Sequence, residues 1–319
     1  MEYNKEYAHI RGFNLHGDWC TTGLTEWINF DPERYRMMLK KGKEKFPGMN
    51  AIRIWFSLDA YLADRKRYLE AIAQAVDILT EEGLWFIPTY FNGWFGVPSF
   101  GGFVPASLTP QFMPIYKNFI QASVKAIAHS DKILMHDISN EPYNLVFGRR
   151  GGEEGYAKVT EFLKEMIFAV REIDDRKITV GTQAYPNRNN PAICDVTLLA
   201  PYVDVFSIHP YNETHMPLED FDKAFKARID YIEEFKKPYI ITECVWGTPT
   251  AETRKYFLET ELATYNKYGV GYFVHALCTS PVADLHPVDE YGEGKGLYMG
   301  FLDENFEIRP YHDIFNQYA

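Results

Sequence analysis

Eight short apolar runs recur along this chain, and most are followed by a stretch whose apolar residues repeat at helical spacing. The strand candidates are residues 9–17, 50–57, 85–91, 133–138, 177–182, 203–209, 238–244 and 271–277. Between them lie helix candidates over 31–46, 66–82, 153–173, 219–236 and 251–268, with another marked by Met113, Tyr116, Phe119, Ile120 and Ile127. A short helix near 310–318 ends the chain. The helix signals are physical ones. Asp31-Pro32 supplies an N-cap and a residue suited to the first turn, and Gly83 stops the helix that buries Leu69, Ile72, Ala73, Val76 and Leu79.

Alternating strands and helices imply a parallel sheet, and eight repeats close it into an α/β (β/α)8 TIM barrel. No linker interrupts the pattern, so residues 1–319 are expected to be a single domain. An open doubly wound sheet would want a glycine-rich phosphate turn after its first strand, and Phe13-Asn-Leu-His-Gly-Asp18 is not one. Two connections are long for the fold, residues 92–111 and 279–308. Both follow strands, on the face where barrel loops build clefts.

Charge narrows the partners. The net charge of −11 comes with no basic run, which argues against nucleic acid and anionic membranes. Aromatic residues make up 16% of the chain, more than a core needs, which suits a surface that stacks on flat ligands. Met1–His9 has no apolar leader core and no run reaches transmembrane length, so a soluble chain is expected, cytoplasmic or exported with a leader already removed. Cys20, Cys194, Cys244 and Cys278 are sparse, lack CxxC spacing and read as free buried thiols.

The chemistry gathers at strand ends. Ile133-Leu-Met-His-Asp-Ile138 runs into Ser139-Asn-Glu-Pro142, and Pro142 cannot pair, leaving Glu141 at the C-terminal mouth of strand four. Glu243 ends strand seven in the same way, about 100 residues on, or roughly three βα units. Strands three places apart in a ring of eight face each other across the mouth. Two carboxylates so placed are what glycosidic cleavage requires: one protonates the leaving oxygen, and the other attacks or activates water.

Polar neighbours support the pair. Arg53 lies inside an apolar strand and needs a buried acid, with Glu243 the candidate and Asp137 or Asp59 the alternatives. His209 and Tyr211 share one side of strand six by period two. Tyr211 is placed to hydrogen-bond Glu243, and His209 either orients a catalytic group or is a satisfied core histidine. Asn140 is placed to donate to a sugar hydroxyl beside the cleaved bond. Among Trp19, Trp55, Trp94, Phe95 and Trp246, the best stacking platforms are Trp94 and Trp246, in polar loops just past strand ends. His16, His136, His209 and His275 occur singly without metal-ligand spacing, so no metal and no cofactor is expected.

With Asn140-Glu141-Pro142, His209-Pro-Tyr211 and Thr242-Glu243 in register on strands four, six and seven, the chain resembles retaining glycoside hydrolases of clan A, and family 5, the cellulase and β-mannanase family, most nearly. The resemblance spans the barrel from Gly12-Phe13-Asn14 to strand eight. It implies Glu141 as acid/base and Glu243 as nucleophile, with Arg53, Asn140, His209 and Tyr211 around them. Two positions depart from the family pattern. Tyr90-Phe91-Asn92 stands where a histidine is common, and Val274-His275-Ala276 where a tryptophan is common, so His275 becomes the candidate sugar contact there.

These readings converge on a catalytic barrel: a retaining β-glycosidase acting on a neutral β-linked glucan or mannan, polymeric or oligomeric. An exo-acting β-mannosidase or β-glucosidase of the same clan is the near alternative. A non-catalytic carbohydrate-binding barrel would be favoured by loss of either glutamate. A barrel lyase or isomerase would want a strand-end lysine or clustered metal ligands, and the strand ends show neither.

Overall fold

The computed structural model describes residues 3–93, 108–143, 152–182, 195–212, 215–248, 250–281 and 298–319. Eight parallel strands close into a barrel in chain order, β1 to β8, with β1 paired to β8. They are β1 Arg11–Leu15, β2 Ala51–Trp55, β3 Trp85–Asn92, β4 His136–Asn140, β5 Ile178–Thr182, β6 Phe206–Ile208, β7 Tyr239–Cys244 and β8 Tyr272–Val274. The helices are α1 Gly23–Ile28, α2 Pro32–Lys45, α3 Leu58–Ala63, α4 Arg65–Glu81, α5 Met113–Ile127, α6 Gly152–Arg171, α7 Asp195–Leu199, α8 Leu218–Glu233 and α9 Ala251–Tyr268. A 3-10 helix, His312–Gln317, follows.

Local chemistry explains the helix ends. The Asp31 carboxylate accepts the Arg34 N–H at the start of α2, Asp64 accepts that of Arg67 at α4, and Thr250 that of Thr253 at α9. Gly269 closes α9 at a φ of 66°, the left-handed turn for which glycine carries no Cβ penalty. The short helices α1 and α3 lie in stretches where the sequence pattern showed only polar or apolar fragments, too brief for helical periodicity.

Side chains alternate in and out along each strand, so the barrel interior is layered. Its N-terminal end is plugged by Ala51, Ile87, Met135, Val205, Ile240 and Phe273, capped by Tyr7 and Ile10. One step up, the interior turns polar, with Asn14, Arg53, Thr89, Asp137, Ser207 and Thr242 all fully buried. The next step is the mouth. Outward faces pack against the helices in one large aromatic-rich core.

Two strands differ from the sequence expectation in an informative way. Only the second half of the run Ile133–Ile138 lies in β4, which begins at His136. Ile133 makes only an isolated bridge to Phe86, and the strand proper continues through Ser139 and Asn140. Polar residues stay in the ladder because the barrel interior offers them Arg53 as a partner. The pairings of β4 with β5 and of β7 with β8 also shift register, between Asp137 and Asn140 and between Ile241 and Cys244. Such bulges let two successive side chains face the same way.

Candidate active site

The site grows from Arg53. Its guanidinium is fully buried, and it is anchored from below by Asp137 Oδ2, which accepts from Nε at 3.1 Å and Nη2 at 2.8 Å. Asp137 is itself fixed by the Thr89 hydroxyl at 2.9 Å and the Gly181 N–H at 3.1 Å. From that base Arg53 reaches upward, donating from Nη1 to Glu243 Oε1 at 2.5 Å and to Asn14 Oδ1 at 3.0 Å. Nη2 also donates to Asn140 Oδ1 at 2.9 Å, and the Trp55 ring covers the guanidinium at 4.5 Å. Burial disfavours the Arg53 cation, but Asp137 and then Glu243 outweigh it and hold its pKa above the ordinary arginine value. The two candidate partners for Arg53, Glu243 and Asp137, are thus both used, while Asp59 is exposed on α3.

Glu243 has both oxygens occupied, because the Tyr211 hydroxyl donates to Oε2 at 2.7 Å. Burial, followed by the charges of Glu243 and Glu141, pushes the Tyr211 phenol well above its usual range, so it remains a donor. His209 binds on the other side: Nδ1 lies 2.6 Å from Glu141 Oε1 and 3.6 Å from Glu243 Oε2. Its Nε2 lies 2.9 Å from the Thr242 hydroxyl, which in turn contacts Ser207 Oγ. One atom each of Glu141, His209 and Glu243 lie within 4.8 Å of one another. Both carboxyl groups are almost wholly buried, at 5% and 3% exposure. Two carboxylates and an imidazole are a donor set a cation would accept, and Glu243 already holds the Arg53 guanidinium on Oε1.

The backbone at these strand ends is unusual. Glu141 has a φ of 41°, a left-handed conformation that an L side chain adopts only when its surroundings impose it. The Glu141 N–H is held by the Gly181 carbonyl at 2.9 Å, and Asn140 Nδ2 donates to Asn92 Oδ1 at 3.3 Å. Beside the acids stands an aromatic wall. Trp246 meets Tyr211 edge-on at 5.5 Å and His275 at 5.1 Å. His275 lies 5.6 Å from His16, which lies 5.6 Å from Trp55. The His275–Ala276 peptide bond is cis.

Arg53, Asn140, Glu141, His209, Tyr211, Glu243, Trp246 and His275 therefore meet at one mouth. Trp94 and Phe95 lie outside the described residues, as do most of the two long connections and Cys194. Cys20, Cys244 and Cys278 are free and buried. Sequence reasoning assigned no place in the polar layer to Asn14, Thr89, Ser207 or Thr242, although Asn14 and Thr242 stood in its motifs. Each is an inward polar residue in an apolar strand, a signal that was legible at Arg53 for the same reason.

A family profile described as Cellulase (glycosyl hydrolase family 5) matches residues 1–280. The chain belongs to glycosyl hydrolase family 5. It is accordingly a glycoside hydrolase. Among curated protein sequences, none matches this family 5 chain. Among solved structures, a GH5_18 enzyme from Streptomyces cattleya in complex with GlcNAc superposes with a TM-score of 0.72 at 14% identity, covering 97% of this chain and 80% of that one. The hyperthermostable endo-1,4-β-D-mannanase from Thermotoga petrophila RKU-1 gives 0.68 at 16% identity, with 97% and 98% covered. The β-glucuronidase of Bifidobacterium dentium gives 0.65 at 15% identity, covering 97% of this chain and 46% of that one. At these identities the likeness is one of fold. Among the described residues, no helix is long and apolar enough to cross a membrane.

Proposed function

We propose that this family 5 chain is a retaining β-glycosidase acting on a neutral β-linked glucan or mannan, as polymer or oligosaccharide, with Glu141 as acid/base and Glu243 as nucleophile. The observation that carries the reading is the close approach of the two carboxyl groups. The nearest oxygens of Glu141 and Glu243 lie within 4.8 Å, a closeness that supports retention, for which carboxyl groups sit about 5–5.5 Å apart, over inversion, which needs ~6.5 Å or more.

Each contact then has a task. Glu141 enters protonated and gives its proton to the departing oxygen while Glu243 attacks the anomeric carbon, forming a covalent glycosyl-enzyme. Glu141, now a carboxylate, takes a proton from the water that releases the sugar. Glu141 Oε1 accepts from His209 Nδ1–H in both states, which orients the carboxyl and leaves the transferred proton to Oε2. Arg53 and Tyr211 aim Glu243, each through one oxygen. As the nucleophile gives up its charge to the new bond, they weaken their hold in step. Asn140, itself anchored by Arg53, faces the 2-hydroxyl of a sugar bound there.

Trp246 and His275 offer the sugar a flat wall, with an imidazole in place of an indole at the strand-eight position. The choice of sugars to test is guided by relatives of the fold: a variant of the Streptomyces cattleya enzyme was solved with Manβ1-4GlcNAc, and the Thermotoga petrophila enzyme is a mannanase. The whole chain is read as one catalytic unit, its terminal 3-10 helix tied back to α9 through His312.

The test is hydrolysis of aryl β-mannosides, β-glucosides and β-linked mannan and glucan, beside Glu243→Ala with and without azide. Activity that is lost in the variant and partly restored by azide, as an α-glycosyl azide, is the expected result. A folded native chain that binds these sugars and cleaves none would favour the binding-barrel alternative.

A further inference from the structure

Helix α9 carries two charged side chains on its buried face, and the reaction scheme uses neither. Arg254 is fully buried and Glu261 is 1% exposed; they lie seven residues apart, two turns along one face. Glu261 accepts the Asn212 N–H at 3.0 Å on Oε1 and the Val245 N–H at 2.8 Å on Oε2. The Tyr265 hydroxyl lies 2.9 Å from Glu261 Oε2 and 2.8 Å from the Pro210 carbonyl. Asn212 follows Tyr211, and Val245 is two residues past Glu243, so one carboxylate grips both strands that present the donor–nucleophile pair.

Arg254 grips the tips of β7 and β8 by their carbonyls. Nη1 donates to Val245 and Trp246, Nη2 to His275 at 2.8 Å and Met299 at 3.0 Å, and Nε to His312 Nε2 at 3.2 Å. All five guanidinium donors are engaged. Burial holds His312 well below the ordinary imidazole range, at about 3, so the ring is neutral and Nε2 accepts. Val245 is thus held by Glu261 at its N–H and by Arg254 at its carbonyl. It needs that grip, because it is β-branched at a φ of 55°.

We infer that Arg254 and Glu261 are positioning residues of the site: from behind the barrel wall they force the chain after Glu243 through a strained turn, which sets Glu243 against Tyr211 and turns Trp246 and His275 to the substrate. This rests on the proposed role of Glu243. Burial pushes Glu261 up to about 7, against the pull of its donors and of Arg254, in keeping with a carboxylate kept in the interior for its contacts.

The test compares Glu261→Gln, Glu261→Ala and Arg254→Lys with the native chain, below the melting temperature of each, on an aryl β-glycoside and a β-linked oligosaccharide. Glutamine keeps the shape and one acceptor but turns a donor towards a backbone N–H; alanine removes the grip. Displacing Glu243 and Tyr211 slows glycosyl transfer more than binding, so Glu261→Gln should lower kcat about 10-fold with KM within about twofold, and alanine should lower it further. Arg254→Lys cannot span four carbonyls, and by loosening Trp246 and His275 it should raise KM for the oligosaccharide about 5-fold. A part that only supports folding would lower the melting temperature and leave kcat and KM of the folded protein unchanged; that result, or failure of all three variants to fold, overturns the inference. An inactive native chain would instead overturn the glycosidase reading, and this inference with it.

Discussion

The backbone of Gly93 lies against the backbone of Glu141: a Cβ at position 93 would come within 2.3 Å of the Glu141 carbonyl oxygen and 2.7 Å of Pro142 Cα. The Gly93 N–H also donates to the Asn140 carbonyl at 2.7 Å, so the end of β3 is pressed onto the turn that carries the proposed acid/base. Glycine is required by the close approach, since neither backbone has a soft side chain to move aside.

Gly93→Ala should therefore displace Glu141 as well as loosen the fold. Overpacking of this kind costs about 1–3 kcal/mol, read as a lowered urea midpoint. As the proposed acid, Glu141 must reach the leaving oxygen within hydrogen-bond distance, so kcat should fall roughly 10-fold or more. A variant that is destabilised yet retains native kcat would show that Glu141 is held independently of Gly93.

Arg53 stands between two buried acids, and its removal is expected to be worse than removal of any single contact would suggest. In Arg53→Met, Asp137 and Glu243 lose their cation inside the barrel, a change that costs about 3–5 kcal/mol when a buried pair is broken from one side. Adding Asp137→Asn should recover part of that stability and none of the activity, since Glu243 remains without its Arg53 contact. Urea unfolding of the single and double variants beside kcat measurements checks both halves. A single variant as stable as the native chain would contradict the account of the polar layer.

The barrel and its carboxylates were legible in the chain because strand ends are marked by chemistry: Pro142 stops pairing, and Arg53 sits where no apolar strand should hold a cation. Exact strand composition was not. Period-two alternation cannot place Thr242 and Glu243 on one side of β7, yet Thr242 bonds His209 and Glu243 bonds Arg53, and a register shift in that strand's pairing is what allows it. The same holds for Asp137 and Asn140 in β4, both bonded to Arg53. Arg254 and Glu261 were hidden for another reason. They fall in phase with Phe257, Leu258 and Tyr265, but two charges on the buried face blur the contrast between faces of α9 and read as ordinary surface residues. Trp246 was singled out from its position just past a strand end, and its ring packs on Tyr211 and His275.

A third prediction concerns stability against pH. Glu26 on α1 is buried, with one oxygen accepting the Gly17 N–H at 2.8 Å and the Cys20 thiol beside the carboxyl. Burial pushes its pKa from 4.5 to about 8, so it stays protonated at neutral pH. A carboxyl with a raised folded-state pKa contributes stability that is fully present below about pH 4.5 and is lost as pH rises through about 8. Glu26→Gln keeps an acceptor for Gly17 and never ionises. Relative to this variant, the native chain should weaken by up to about 1.4 kcal/mol for each pH unit across that window. Melting temperatures of the two proteins taken from pH 4 to pH 9 give the difference curve. Parallel curves would mean that Glu26 is not the desolvated acid the fold makes it.

The stereochemistry of the first product tests the central claim directly. Proton NMR of an aryl β-glycoside during its first minutes of hydrolysis distinguishes the anomers before they interconvert. With Glu141 and Glu243 as close as they are, the β-anomer should appear first and the α-anomer only later by mutarotation. An α-anomer formed first would mean direct attack by water, and would contradict a covalent intermediate on Glu243.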